Sequence, residues 1–359
     1  MKAYLILEDG HVFEGVSADV FEDTISEIVF NTSMTGYPEI LTDPSYAGQA
    51  VVMTYPIIGN YGICRDDLES GQIRPDFFLL REMARMPSNF RCEESLGSFL
   101  EEQHTPVITG IDTRSLTKLL RESGTMNGMI TMKESYDIGS IKEKLKLYRT
   151  GNVVGRMTCP VKYKKYVPHA KREIALLDFG TKQNIIRSLL RRGCSVTVYP
   201  ADTAAEKITE QHPDGIVLSN GPGDPKECTG IIQEVRKLYD SGIPMFAVCL
   251  GHQLMALALG ADTYRLKYGH RGGNHPVRNL LTGKVYMTAQ NHGYAVDPES
   301  MDRTVAEPLF ENVNDGTNEG FLYRDKKLLT VQFHPEASPG PQDTGCLFDH
   351  FLKMTEVNE

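Results

Sequence analysis

From Glu173 onward, short apolar runs alternate with amphipathic stretches, and this alternation restricts the fold more than any other feature of the 359-residue chain. IALLD, SVTVY, GIVLS and PMFAV have the length and character of strands covered on both faces. Between them, NIIRSLLRR brings Ile185, Ile186, Leu189 and Leu190 to one helical stripe. GIIQEVRKLYDSG spaces Ile231, Ile232, Val235, Leu238 and Tyr239 in the same way before a glycine stop. Strands and helices in alternation predict a parallel sheet with helices on both sides. Ligands of such sheets sit beyond the carboxyl ends of the strands, so the residues that follow each strand are the first candidates for chemistry.

The first half of the chain has a different pattern. AYLILEDGHVFEG reads as a hairpin turning at Glu8-Asp9-Gly10, and AGQAVVMTYP and TPVITGID read as further strands. The intervening PVKYKKYVPHAKR carries five basic residues, no acidic ones and two prolines, as suits an extended connector. The expected organisation is a strand-rich α/β N-terminal domain over 1–159, a linker over 160–172 and a larger α/β domain over 173–359. Two domains suit a chain of this length.

Composition removes several function classes. The net charge of −9 disfavours nucleic acid and anionic membrane surfaces as partners. Seven scattered cysteines, with no C-x-x-C pair, point to a reducing compartment. The N-terminal apolar run stops at Glu8 and Asp9, too short for a signal-peptide core, and the stretch from Ile243 to Gly260 is interrupted by His252 and Gln253. The expectation is a cytoplasmic protein that engages neither membrane nor nucleic acid. No P-loop is expected, since Thr282-Gly283-Lys284 is followed by Val285, and no zinc site, since His270 and His275 have no nearby cysteine.

The chemistry-bearing residues follow the strands. After Met245–Val248 comes Cys249-Leu250-Gly251-His252-Gln253 and then an apolar helix. A tight strand-to-helix turn holds a nucleophile above the sheet, and the small Ala247 and Gly251 let the turn close. The helix N-terminus offers unpaired N–H groups and the positive end of its dipole to developing negative charge. A cysteine nucleophile needs a base, and the base needs an orienting group. LLTVQFHPEASPGP supplies both, because His334 ends an apolar strand and Glu336, two residues on in an extended segment, points to the same side. His252 and His292 are rival bases, the first too close in sequence to reach the thiol and the second without an acidic residue at short spacing. SNGPGDP follows another strand, and the N–H groups of Gly223 and Leu250 could together bind an oxyanion.

AVCLGHQ, SNGPGDP and VQFHPEASPGP together resemble the class I, or triad, glutamine amidotransferases, whose flavodoxin-like α/β domain hydrolyses glutamine to glutamate and ammonia. FNTSMTGYPEILTDPSYAGQAVVMTYPIIGNYG, GIDTRSLTKLLRESGTMNGMI, GGNHPV, AQNHGYAVD and SPGPQDTGCLFDHF extend the resemblance over nearly the whole chain, to the small-subunit family of carbamoyl-phosphate synthases. The resemblance implies Cys249 as nucleophile with His334 and Glu336 completing the triad. It also implies a glutamine site lined by Ser45, Gly221, Gly223, Leu250, Gln253, Asn291, Gly293 and Tyr294. No metal or cofactor is implied in this chain. ATP and Mg²⁺ belong on a large synthetase subunit, which takes the ammonia to make carbamoyl phosphate for arginine or pyrimidine synthesis. The two subunits form a heterodimer that can assemble further.

Ala247 stands where the family commonly has glycine, Ser33 where its N-terminal motif often does, and Pro38 where a polar residue is usual. Amidotransferase subunits of anthranilate synthase or GMP synthetase share the C-terminal motifs but not the N-terminal half. A purely regulatory subunit would have lost the triad.

Overall fold

The computed structural model describes residues 1–356. The chain divides into two compact units, Met1–Gly151 and Asn152–Glu359. In the first, β1 (Lys2–Leu7), β2 (Val12–Val16), β3 (Thr24–Asn31), β4 (Gln49–Met53), β6 (Phe77–Leu79), β8 (Val107–Ile108) and β9 (Met126–Thr131) form a mixed sheet. Its order is β2-β1-β9-β3-β4-β6-β8, and β5 (Ile57–Ile58) pairs separately with β7 (Glu82–Met83). The hairpin expected at the start is β1–β2, paired through Ile6 and Val12, with Gly10 at φ +101° in the turn. Alternation places Ile28 and Phe30 in one apolar cluster and Val29 in another, as the period of a strand requires. Helix Thr113–Ser123 starts where the Asp112 carboxylate accepts from Ser115 N–H at 3.0 Å, and it buries Leu116 and Leu120 on the sheet.

The second unit is built on ten strands. These are β10 (Tyr163–Lys165), β11 (Arg172–Asp178), β12 (Cys194–Pro200), β13 (Gly215–Leu218), β14 (Met245–Val248), β15 (Thr263–Asn279), β16 (Val285–Val296), β17 (Ala306–Asn312), β18 (Asn318–Tyr323) and β19 (Leu328–Val331). The strands β12-β11-β13-β14-β19 run parallel in that order, the 2-1-3-4-5 arrangement of the flavodoxin-like fold. The antiparallel strands β18, β17, β15 and β16 continue the sheet beyond β19.

Helices cover both faces of this sheet. Ala175, Leu177, Met245 and Ala247 pack with Val235, Leu238 and Leu254 on one side. Ile174, Leu176, Phe246 and Val248 pack with Ile185, Leu189, Phe348 and Phe351 on the other. The segment 160–172, read from sequence as a connector, carries β10, which pairs antiparallel with β12. Upstream of it, Cys159 N–H is already bonded to the Asp178 carboxylate at 2.8 Å. The basic composition fits this placement, because exposed lysines on an edge strand discourage pairing with another chain.

Candidate active site

Cys249 sits between β14 and helix Leu250–Ala258 with φ +52° and ψ −105°, a conformation that non-glycine residues rarely adopt. The strain is held from both sides. Cys249 N–H donates to the Val331 carbonyl at 2.8 Å, and its own carbonyl accepts from Gln253 N–H at 3.1 Å. Gly251 N–H bonds the Ser219 carbonyl, and a Cβ at Gly251 would lie 2.5 Å from the Leu218 carbonyl oxygen, so only glycine lets this helix seat against the end of β13. Gly221 packs just as closely on the Phe179 carbonyl. Gly223 takes φ +91°, open to glycine and costly for other residues. Leu250 is the first helical residue, so its N–H has no partner within the helix.

The thiol is 2% exposed. Its Sγ accepts from Gln332 Nε2 at 3.5 Å and lies 3.8 Å from the Asn291 carbonyl oxygen. His334 follows β19, and its N–H donates to the Ala289 carbonyl at 2.9 Å. His334 Nδ1 meets Glu336 Oε1 at 2.6 Å, while Nε2 has no settled hydrogen-bond partner. Burial alone would push the imidazolium down. The Glu336 carboxylate reverses this against the opposing charge of Lys182, with help from the neighbouring Cys249, and raises His334 to about 10. Burial likewise opposes the Glu336 charge, but Lys182 and His334 together hold it down at about 2.

Lys182 and Asn184, which sequence reasoning did not single out, support the carboxylate from behind. Lys182 Nζ lies 2.9 Å from Glu336 Oε1 and also donates to the Ala337 carbonyl, and Asn184 Nδ2 donates to the Glu336 carbonyl at 2.5 Å. The only signal for Lys182 was its place just past the carboxyl end of β11. Gln332 was likewise missed, although a polar residue inside LLTVQF is unusual for a strand buried on both sides.

The rival bases have other duties. His252 is fully buried, its Nδ1 is 3.0 Å from Thr330 Oγ1, and its ring stacks on Phe321. Burial pushes it down to about 3. His292 has both ring nitrogens engaged, Nδ1 with the Tyr294 carbonyl at 2.8 Å and Nε2 with Gln290 Oε1 at 2.7 Å. Asn291, Gly293 and Tyr294 lie on β16, and Gln253 Nε2 donates to the Tyr294 carbonyl at 2.8 Å and to Gln332 Oε1 at 2.9 Å. The second unit thus gathers Cys249, His334 and Glu336 with these residues. Ser45 belongs to the first unit, buried in the turn Pro44–Tyr46 with its N–H on the Asp43 carboxylate.

A cysteine on a strained elbow and a buried histidine backed by a carboxylate meet at the carboxyl end of a 2-1-3-4-5 sheet, the arrangement that the class I amidotransferase resemblance implies. The family model of glutamine amidotransferase class-I matches residues 175–354, and that of the carbamoyl-phosphate synthase small chain CPSase domain matches residues 5–130. The chain is 47% identical over 355 residues to the carbamoyl phosphate synthase small chain of Clostridium perfringens, covering 98% of this chain and 99% of that one. It is 48% identical to the small chain of Bacillus caldolyticus, covering 99% and 96%. It is 46% identical to the pyrimidine-specific small chain of Halalkalibacterium halodurans, covering 100% and 98%. This chain belongs to the carbamoyl phosphate synthase small-chain family and is its glutamine-hydrolysing subunit. Membership implies a large-subunit partner. No helix among the described residues is long and apolar enough to cross a membrane.

Proposed function

We propose that Cys249, His334 and Glu336 carry out the hydrolysis, with domain 173–359 holding the chemistry and 1–159 forming the small-chain domain. The Cys249 sulfur, its proton held by the His334 imidazole, attacks the side-chain amide carbon of glutamine. Gly223 and Leu250 N–H groups receive the resulting oxyanion. The imidazolium, held charged by Glu336, returns its proton to the leaving nitrogen; the C–N bond breaks, ammonia departs and a thioester remains. A water molecule, deprotonated by His334, then releases glutamate and restores the thiol. Gly221, Asn291, Gly293 and Tyr294 line the substrate, and Gln253 braces Tyr294. The observation that carries this reading is His334, buried beside the Cys249 thiol, with Nδ1 fixed at 2.6 Å by Glu336 and, among the described residues, no other protein group on Nε2.

The ammonia passes to the large subunit, which holds ATP and Mg²⁺, in the cytoplasm, in heterodimers that associate further. In the reconstituted complex, Cys249→Ser is expected to abolish glutamine-dependent carbamoyl phosphate formation and to leave synthesis from added ammonia at its normal level. Loss of both activities in a folded complex would overturn this division of labour.

A further inference from the structure

The pairing of β14 with β19 sets Val248 beside Val331, so the next residues on the two chains, Cys249 and Gln332, come side by side at the carboxyl ends of the strands. The elbow is fastened to this neighbour twice over. Cys249 N–H donates to the Val331 carbonyl at 2.8 Å, and Gln332 Nε2 donates to Cys249 Sγ at 3.5 Å. Gln332 is wholly buried, and its own N–H donates to the Glu319 carbonyl at 2.9 Å.

The direction of the Gln332 amide follows from Gln253. Gln253 Nε2 donates to the Tyr294 carbonyl at 2.8 Å, and a carbonyl only accepts, so the NH₂ end of Gln253 faces this region. The same NH₂ group lies 2.9 Å from Gln332, which must present its oxygen there and so turns its own NH₂ to the sulfur. An amide inside an apolar strand costs free energy unless its polar atoms are bonded, and an aliphatic side chain would fill the same space without that cost. The presence of Gln332 is explained by what its two ends bond, Gln253 on one side and the sulfur on the other.

The sulfur has partners of both kinds. The Asn291 carbonyl, 3.8 Å away, only accepts and suits a protonated thiol. Gln332 Nε2 only donates, and such a bond is stronger to an anion. The titratable groups around the pair are His334, with Glu336 and Lys182 behind it, His252, bonded to Thr330 two residues before Gln332, and His292, on the Tyr294 carbonyl. Burial lowers His252 and His292. It opposes charge on His334 too, but Glu336 raises that group to about 10, so an imidazolium stands beside the sulfur. With the proton on His334, the sulfur is an anion, the form that a donor favours.

We infer that Gln332 is a catalytic residue of glutamine hydrolysis, whose amide N–H holds the Cys249 sulfur as the attacking thiolate. The inference rests on the triad reading above. The amide keeps its protons throughout, and the proton lost by sulfur stays on His334.

Two variants of the complete complex separate this role from simple bracing of Gln253. Gln332→Met keeps the length of the side chain and removes both ends of the amide. Gln332→Glu keeps an oxygen for Gln253 and turns a second oxygen to the sulfur. Alkylation of Cys249 by iodoacetamide, without glutamine, is followed across pH by peptide mapping, beside kcat/KM for glutamine. In Gln332→Met the midpoint of the alkylation profile and the acid limb of kcat/KM are both expected to move up by about one pH unit. That is the tenfold change in ionisation that one hydrogen bond to a charged group supports. In Gln332→Glu the shift is expected to be larger, because an acceptor then faces the thiolate.

An unmoved midpoint in either folded variant would overturn the inference. A raised KM with both profiles in place would do the same, since Gln332 would then only brace the glutamine site. Folding is read from the melting curve and from co-elution with the large subunit. If one variant fails to fold, the other decides, and failure of both would assign Gln332 to stability alone and overturn the inference. Failure of the triad reading would appear separately, as glutamine-dependent synthesis that survives Cys249→Ser.

Discussion

Removing the charge of Glu336 tests how the triad is held together. Glu336→Gln leaves the Lys182 ammonium, 3% exposed, without its counter-charge at 2.9 Å and replaces the charged acceptor 2.6 Å from His334 Nδ1 with a neutral amide. Breaking a buried pair from one side costs about 3–5 kcal/mol, because the surviving charge stays buried. For a domain of this size that is a fall in melting temperature of roughly 6–20 °C. Adding Lys182→Met removes the stranded charge, so the double variant is expected to recover much of the loss in a double-mutant cycle.

The pH dependence carries a sign. His334 is raised from 6.5 to about 10, so its stabilising contribution is complete below about pH 6.5 and is lost as pH rises toward 10. Glu336 is lowered from 4.5 to about 2, so its contribution is present above about 4.5 and is lost below that toward pH 2. The Glu336→Gln protein is expected to lack both limbs. Glutamine hydrolysis should fall less in Glu336→Gln than in His334→Asn, since a base without its orienter keeps part of its function. Additive stability losses in the Lys182/Glu336 cycle, or a high-pH limb that persists without Glu336, would refute the reasoning.

Two further expectations concern neighbours of the thiol. Gly251→Ala places a methyl group 2.5 Å from the Leu218 carbonyl oxygen, so it is expected to cost about 1–3 kcal/mol and to displace the elbow, read as lost glutaminase activity with ammonia-dependent synthesis retained. His252→Gln is expected to lower thermal stability while leaving the pH profile of glutamine hydrolysis in place, because its ring is bonded to Thr330 and stacked on Phe321 and has no bond to the triad.

The parallel half of the fold was legible because its strands are continuous apolar runs and its helices keep a clear stripe. The proposed nucleophile and base could be picked out for a related reason, since both follow such strands. The long ribbon of β15 and β16 was not read as strands, because its polar and charged residues, among them Arg271, His275 and Gln290, hide the alternation. Arg271 and Gln290 are buried there, the first donating to the Tyr268 carbonyl and the second to Glu319. Lys182 escaped for the opposite reason: a lysine shortly before a helix reads as solvated, and only the folded position of Glu336 gives it a buried partner. The basic stretch before β11 reads as a connector until β12 supplies an edge for Tyr163–Lys165 to pair with. For Lys182 and the basic stretch, a local pattern was overridden by a partner distant in sequence.

The central claim is that glutamine is opened by a covalent bond to Cys249. Acid quenching of the complex during turnover with labelled glutamine, followed by peptide mapping under conditions that preserve thioesters, tests it directly. The expected result is a γ-glutamyl group on the peptide carrying Cys249, absent from Cys249→Ser and discharged to glutamate on a chase with unlabelled glutamine. Label on any other residue, or glutamate formed in steady turnover by Cys249→Ser at the normal rate, would contradict the account.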